Sequence, residues 1–289
     1  MADAGPVPDG AIPRLEDWVG RTETRHDVVS AAPLALMSAT LDRDDPEPVP
    51  GSLLPPLWHW LHFLPRARQS EMGPDGHARR GGFLPPVDLP RRMWAGGRLE
   101  FPDTLRVGDA VERVSRIESV STRQGRSGSL VFVTVRHRIA SARGPAIVED
   151  HDIVYRDHPA PGEPPPVPRP APADESFSRT VVPDPVLLFR YSALTFNGHR
   201  IHYDRPYVTG VEGYPGLVVH GPLVATLLLD LLRRRRPEAT VRRFEFRALR
   251  PVFDGHPLTL CGRLEGDTAR LWSRDHEGWI TMEASARLA

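Results

Sequence analysis

Between Tyr191 and Pro222 the chain reads Y-S-A-L-T-F-N-G-H-R-I-H-Y-D-R-P-Y-V-T-G-V-E-G-Y-P-G-L-V-V-H-G-P. Positions 197–205 alone hold Asn197, His199, Arg200, His202, Tyr203, Asp204 and Arg205. Imidazoles exchange protons near neutral pH, an amide orients a water or a carbonyl, and a guanidinium grips a carboxylate or a phosphate. Polar groups this dense, just ahead of an apolar stretch, are costly unless they pair with one another or line a cleft. Two readings follow: a surface loop with satisfied hydrogen bonds, or a proton-transfer site. His199 and His202 have the i, i+3 spacing of a metal pair, but no third ligand is indicated and no metal is expected. His220, Gly221 and Pro222 follow at the start of the apolar run. A helix beginning there presents unpaired N–H groups and the positive end of its dipole to any developing negative charge. Glycine allows close approach and proline suits a first turn, although helix punctuation alone explains both.

The elements that must position these groups are legible in outline. Gly216 to Arg236 carries Leu217, Val218, Val219, Leu223, Val224, Leu227, Leu228, Leu231 and Leu232 on more than one face, which predicts a buried helix stopped by Pro237. Arg233 to Arg236 suit the negative end of its dipole and read as a solvated helix end. Strand candidates follow at Val241–Val252, Pro257–Leu264, Ala269–Asp275 and Trp279–Leu288, with Gly266-Asp267 and Glu277-Gly278 as turns. The first half repeats the order. A helix is expected over about Asp27–Leu41 and strands over Ala110–Ser121, Gly128–Ala142 and Ala146–Arg156, with an irregular Pro/Gly/Trp-rich stretch from Pro46 to Pro102 between them. The run Pro159 to Pro172 reads as an extended, solvated linker. The expected organisation is an N-terminal repeat over 12–157, a linker over 158–176 and a C-terminal repeat over 177–289. A helix followed by antiparallel strands, occurring twice, is an α+β pattern and matches a double hotdog, two helix-wrapped-by-sheet units in one chain.

Composition narrows the function. Acids and bases balance at 37 each over 289 residues, which argues against a nucleic-acid binder. All 37 bases are Arg, so Schiff-base and P-loop chemistry, which need a Lys amine, are excluded. Cys261 is alone, which rules out an intrachain disulfide and a Cys-rich zinc site. No apolar run spans a bilayer and Met1–Gly10 lacks signal-peptide character, so a cytoplasmic protein with no membrane partner is expected.

The 191–222 segment resembles the MaoC-type, or hydratase 2, family, whose signature is Ser/Thr-Gly-Asp-x-Asn-Pro-Leu/Ile-His. Aligned on its last histidine, this chain offers Thr195, Phe196, Asn197, Gly198, His199, Arg200, Ile201 and His202. It is more similar to the branch of hydroxyacyl-thioester dehydratases type 2 and mesaconyl-C4-CoA hydratases, which carry a phrase like F-S-A-L-T-F-N-x-H-R-I-H-Y-D. Arg92–Phe101 and Gly125–His137 resemble that branch's N-terminal, FAS1-like dehydratase domain. The resemblance implies a double hotdog and a hydro-lyase that adds water reversibly to an α,β-unsaturated acyl-CoA in fatty acid metabolism, with no cofactor beyond the CoA thioester itself. It implies mesaconyl-C4-CoA or an (R)-3-hydroxyacyl-CoA as substrate. His202 takes the general acid/base position. Asn197 stands where the wider family has Asp, and an amide cannot act as a base, so it is left to orient water or substrate. His199 and Asp204 are then candidates for the second proton transfer. Gly221, following His220, would offer its N–H to the thioester oxygen, and Arg200 would meet a substrate carboxylate or a CoA phosphate, or form a structural salt bridge.

The first half has no matching N-x-x-x-x-H phrase, so one active site per chain is expected. The N-terminal repeat would then supply structure and the acyl tunnel, with Trp58, Trp60 and Trp94 as packing. The rivals are a hotdog thioesterase, since the fold hosts both reactions, and a non-catalytic acyl-CoA-binding protein. A homodimer is compatible with such a fold.

Overall fold

The computed structural model describes residues 14–125, 128–158 and 166–289. In chain order these form β1 (Thr22–Val28), α1 (Ala31–Thr40), β2 (Arg91–Glu100), β3 (Ala110–Gly125), β4 (Gly128–Ser141) and β5 (Gly144–Arg156). There follow β6 (Phe177–Val181), α2 (Pro185–Thr195), α3 (Arg205–Gly210), α4 (Gly221–Arg235), β7 (Val241–Ala248), β8 (Leu258–Glu265), β9 (Thr268–Arg274) and β10 (Ile280–Leu288). All ten strands join one antiparallel sheet in the order β1-β3-β4-β5-β2-β7-β10-β9-β8-β6. Strands before residue 157 make one half of the sheet and strands after residue 176 the other. The halves meet where β2 pairs with β7, from Gly96↔Arg247 to Glu100↔Arg243.

The strand β2 lies in the stretch read from sequence as irregular. Its Trp94-Ala95-Gly96-Gly97 core lacks alternation, and its register slips between Trp94 and Gly96. The reason for Gly96 is tertiary: a Cβ there would fall 2.6 Å from the Phe246 carbonyl oxygen, so only glycine lets the two halves approach this closely. Strand β1 was also missed. Residues 22–28 pair with β3, and the helix expected from Asp27 begins only at Ala31, after the Ser30 N-cap. Similarly, the helix expected from Gly216 begins at Gly221. Val218 and Val219 are extended there, with the Val219 N–H donating to the Val252 carbonyl at 2.8 Å. Apolar residues that continue a helical pattern can equally pack as a strand-like segment, and periodicity does not separate the two.

Helix α4 is buried on every side from Leu223 to Leu232 and runs along the sheet's second half, against β8, β9 and β10. Each such leucine contributes about 1.5–3 kcal/mol of burial. Its C-terminal arginines are not merely solvated, as expected from sequence. Asp230, almost fully buried, bonds Arg43 at 2.6 Å, Arg179 at 2.9 Å and Arg234 at 2.8 Å, while Arg233 pairs with Asp45 at 3.0 Å. The helix end thus binds the first half to the second. In the first half, α1 is short and packs against α2 and the 58–61 turn, not along its own sheet. The helix-and-sheet unit expected twice is present in both halves, complete around α4 in the second and reduced around the short α1 in the first. Part of the first half's exposed sheet face is covered by Val87, Phe83, Leu84 and Leu89, packed on Ile117, Val131, Val133 and Tyr155. The rest of that face lines a cleft.

Residues 159–165 of the proline-rich run lie outside the described residues. Residues 166–176 are extended but anchored: the Ile280 N–H donates to the Arg169 carbonyl and the Ala171 N–H to the Gly278 carbonyl. No helix among the described residues is long and apolar enough to cross a membrane.

Candidate active site

The segment singled out by its polar density is built from two short helices and a turn. Asp184 caps α2 by accepting from the Leu187 N–H at 2.7 Å, and Pro185 opens the helix. The helix stops at Phe196, which takes the left-handed conformation with φ of 49°. Asn197 then makes an Asx turn: its Oδ1 accepts from the His199 N–H at 3.0 Å, which leaves its Nδ2 to donate elsewhere. A single turn over residues 200–202 follows, and Asp204 caps α3 by accepting from the Tyr207 N–H at 3.0 Å.

This path delivers Asn197, His199, His202, His220 and Gly221 to one cleft of about 1810 Å³ between the two halves of the sheet. Arg200 and Asp204 lie outside its lining. They bond each other at 2.8 Å, the i, i+4 partners being neighbours on the turn, and Arg200 also donates to the Pro74 carbonyl and stacks 4.0 Å over the Tyr207 ring. Neither is placed to touch a ligand in the cleft. Their contacts hold the segment's shape instead, and Asp204, engaged as cap and ion-pair partner, has no proton-transfer geometry toward His202.

His202 is held in one tautomer. Its Nδ1 lies 2.7 Å from the Val218 carbonyl oxygen, which can only accept, so Nδ1 carries the proton and Nε2 is bare. Its ring stacks at 3.6 Å on His220, whose Nε2 is hydrogen-bonded to Ser192 Oγ at 2.9 Å. His199 meets His202 edge-on at 5.4 Å. Burial lowers the pKa of His202 to about 4, despite the bond to Val218, and pushes those of His199 and His220 further below the ordinary histidine range. All three rings are therefore neutral at pH 7. Gly221 is the first residue of α4, and no described residue accepts its N–H. A Cβ added there would meet only the Trp94 carbonyl oxygen, at 3.9 Å, so packing does not demand the glycine.

A fourth imidazole continues the row. His77 sits 4.0 Å from His199, in a loop of the first half that the sequence reading passed over. Asp75 Oδ2 lies 2.9 Å from His77 Nδ1, and Asp75 Oδ1 accepts the His77 N–H at 3.0 Å. Asp75, His77 and His199 bring three donor atoms within 4.8 Å of one another. Because Asp75 and His77 already bond each other, we read the trio as a hydrogen-bonded pair beside a third ring. The D-G-H triplet was a signal of sorts, but nothing local tied it to a histidine more than a hundred residues later.

The first half also lines the cleft with side chains from one face of its sheet. Ser115 of β3, His137 of β4 and Glu149 of β5 lie in register across three strands. Glu149 accepts from His59 at 2.9 Å and from the Trp60 indole at 3.0 Å; burial alone would raise its pKa, but His59, with His137 and His151 nearby, holds it at about 2. Burial lowers His137 to about 3 and His151 to about 4. Trp94 stacks on His151 at 3.9 Å, so Trp60 and Trp94 are cleft walls and not only packing. These polar groups sit among apolar neighbours from the same half, including Met72, Met93, Val135, Ile139 and Ile153.

A family model for hydroxyacyl-thioester dehydratase type 2 matches residues 57–254. The chain is 48% identical to the mesaconyl-C(4)-CoA hydratase of Chloroflexus aurantiacus over 94% of its own length and 96% of that protein's. It is 29% identical to the mitochondrial hydroxyacyl-thioester dehydratase type 2 of Schizosaccharomyces pombe, covering 85% of this chain and 90% of that one. A Mycobacterium tuberculosis protein described as a double hotdog superposes with a TM-score of 0.56 over 94% of this chain and 96% of that one, at 15% identity, which shows the shared fold. The histidine-bearing cleft of this double hotdog lies within the matched region, and the chain belongs to the hydroxyacyl-thioester dehydratase type 2 family.

Proposed function

We propose that this acyl-thioester hydro-lyase adds water reversibly across the α,β-double bond of an acyl-CoA, with His202 holding and polarising the water. The observation that carries this reading is the fixed tautomer of His202, which turns a bare Nε2 to the cleft next to the start of α4. A neutral imidazole accepts from water, and the oxygen is thereby readied to attack Cβ. As it does so, the π electrons shift toward the thioester carbonyl and negative charge collects on its oxygen. The unpaired Gly221 N–H, at the positive end of α4, is the donor for that oxygen. Asn197 Nδ2 is free to orient the water or the carbonyl. A proton must then reach Cα on the same face for the addition to be syn. The reaction is redox-neutral and calls for no electron carrier.

We infer that the acyl group is a C4 dicarboxylate, as in mesaconyl-C4-CoA, and the support is a pair of arginines within a largely apolar cleft. Arg92 and Arg113 both line it and make no ion pair among the described residues. Arg92 is near enough to His77, His199 and His151 to depress their pKa values by its charge. Ser115 and His137 already bond each other at 2.8 Å, but methylenes laid over the two guanidiniums would leave them unpaired, at about 1–3 kcal/mol each. A carboxylate would satisfy them, and a guanidinium fork suits it. The test is to follow the enoyl-thioester absorbance with mesaconyl-C4-CoA and crotonyl-CoA, beside a free-thiol assay. Loss of absorbance without thiol, faster with mesaconyl-C4-CoA and abolished in His202→Gln, is the expected result. Released thiol would move the assignment to a thioesterase, and binding without turnover would leave a binding protein.

A further inference from the structure

The hydration just described leaves one role unfilled, the carrier that takes a proton from water to Cα. Asn197 has no proton to exchange, Asp204 is engaged with Arg200 and the α3 cap, and His202 Nδ1–H is backed only by a neutral carbonyl. The loop of residues 72–78 sits between the 69–71 turn and β2 and is closed by the Met72↔Ala78 bridge and by the Gly73 N–H donating to the His77 carbonyl at 2.6 Å. It is docked firmly onto the catalytic segment of the other half. The Arg200 N–H donates to the Asp75 carbonyl at 2.9 Å and the Arg200 guanidinium to the Pro74 carbonyl at 3.0 Å. A Cβ at Gly76 would fall 1.9 Å from the Gly198 carbonyl oxygen, and one at Gly198 would fall 2.9 Å from that of Gly76. Both positions must be glycine for the two loops to touch. Gly76 also has φ of 85°, which favours glycine on its own account.

We infer that the first half completes the active site, and that His77, positioned by Asp75, is the catalytic proton carrier for this reaction. The inference rests on the hydratase reading. His77 Nδ1–H is donated to the Asp75 carboxylate, so Nε2 is bare, and the ring lines the same cleft as His202 on the other side of His199. In hydration, one O–H bond of the water breaks as the O–Cβ bond forms, and that proton passes to His77 Nε2. The C=C π pair moves to the thioester enolate and returns to form the Cα–H bond with the same proton. His77 ends neutral, the second water proton remains on the product hydroxyl, and His202 Nε2 holds that O–H throughout. No oxidant, reductant or metal enters the balance. The carboxylate favours His77 over His202 as the carrier: Asp75 offsets part of the burial and the Arg92 charge that disfavour an imidazolium there, whereas one formed at His202 faces only a carbonyl dipole and another ring. It also gives the Arg200–Asp204 pair a purpose, since the same Arg200 clamps the loop that carries Asp75.

The test compares His77→Gln, Asp75→Asn and His77→Ala with wild type, using whichever thioester the wild-type protein hydrates. His77→Gln should lower kcat 10²- to 10⁴-fold, the usual worth of a positioned acid/base group, with KM changed less than about threefold. Asp75→Asn removes the charge and leaves only one of the two oxygens that accept from His77, so it should lose kcat at least tenfold, with Tm and KM read beside it to separate loss of the carrier from loss of the loop. Added imidazole should restore part of the His77→Ala rate. The wild-type rate should survive a chelator. Wild-type kcat in both His77→Gln and Asp75→Asn, or a rate that follows added divalent metal, would overturn the proposal while leaving the hydratase reading intact. If His77→Gln fails to fold, Asp75→Asn decides the matter: kcat lost with Tm and KM kept supports the carrier, and kcat kept overturns it. A wild-type protein that hydrates nothing refutes the underlying reading instead.

Discussion

Lowering the pH should unfold this protein earlier than its surface charge suggests, because of the histidines buried in the cleft. Burial is the main cause that holds His202 and His151 at about 4 and His137 at about 3. In the unfolded chain each titrates near 6.5. A histidine whose folded pKa is depressed is neutral when folded and takes up a proton on unfolding, so its stabilisation is present above about pH 6.5 and fades as pH falls toward the folded pKa. At pH 5 each of the three contributes about 2 kcal/mol less to stability than at pH 7.5 or above, about 6 kcal/mol together, which is comparable to the whole stability of many domains. His199 and His220 shift in the same direction and add to it. Glu149 does not offset the loss: its depressed pKa gives stability that is kept above about pH 4.5 and lost only as pH falls toward about 2. Urea unfolding at pH 7.5, 6.5, 5.5 and 5.0, with all histidine variants measured beside wild type, gives the slope of stability against pH. Near pH 5 the slope should correspond to at least three protons taken up per molecule, about 4 kcal/mol per pH unit. His151→Gln should reduce that uptake by about one proton. A stability that is flat from pH 7.5 to 5, or a slope unchanged in His151→Gln, would refute the reasoning.

Three further outcomes are expected. Gly221→Ala should fold with its Tm unchanged or slightly raised, since the added Cβ meets nothing nearer than 3.9 Å, yet lose at least tenfold in kcat/KM because the Cβ hinders the approach of the thioester oxygen to the retained N–H; full activity would show that this approach does not need a glycine. Arg92→Met should reduce the preference for mesaconyl-C4-CoA over crotonyl-CoA at least tenfold, read as a ratio of kcat/KM values, and an unchanged ratio would show that Arg92 does not meet the acyl carboxylate. Asp230→Ala should cost about 3–5 kcal/mol in urea unfolding, because Arg43, Arg179 and Arg234 all lose one buried partner; a loss below about 1 kcal/mol would show that the cluster does not bind the halves together.

Much of this protein was readable along the chain. The long strands β3, β4 and β5 and the four strands after α4 carry local alternation and turn residues, so their existence needed no knowledge of their neighbours. Helix α4 announced itself by apolar residues on every face, the mark of a helix enclosed by its sheet. The spacing of Asn197, His199 and His202 and the glycine at the head of α4 identified the cleft segment, because a turn places neighbours in sequence near one another in space. Other features depended on distant partners. Strand β2 hides behind two glycines whose purpose is the closeness of Phe246. Arg200 and Asp204 looked like ligand-binding groups until α3 and the 74–75 carbonyls engaged them. The polar face of Ser115, His137 and Glu149 exists only through strand register, since the three lie on separate strands. The Asp75–His77 pair is the clearest case. Its D-G-H triplet is only a weak local signal; it acquires meaning because Gly76 and Gly198, lacking side chains, let two loops from opposite halves of the sheet come into contact. Local sequence sets which residues are near one another along a turn of helix or strand. Long-range packing decides which of them share a cleft.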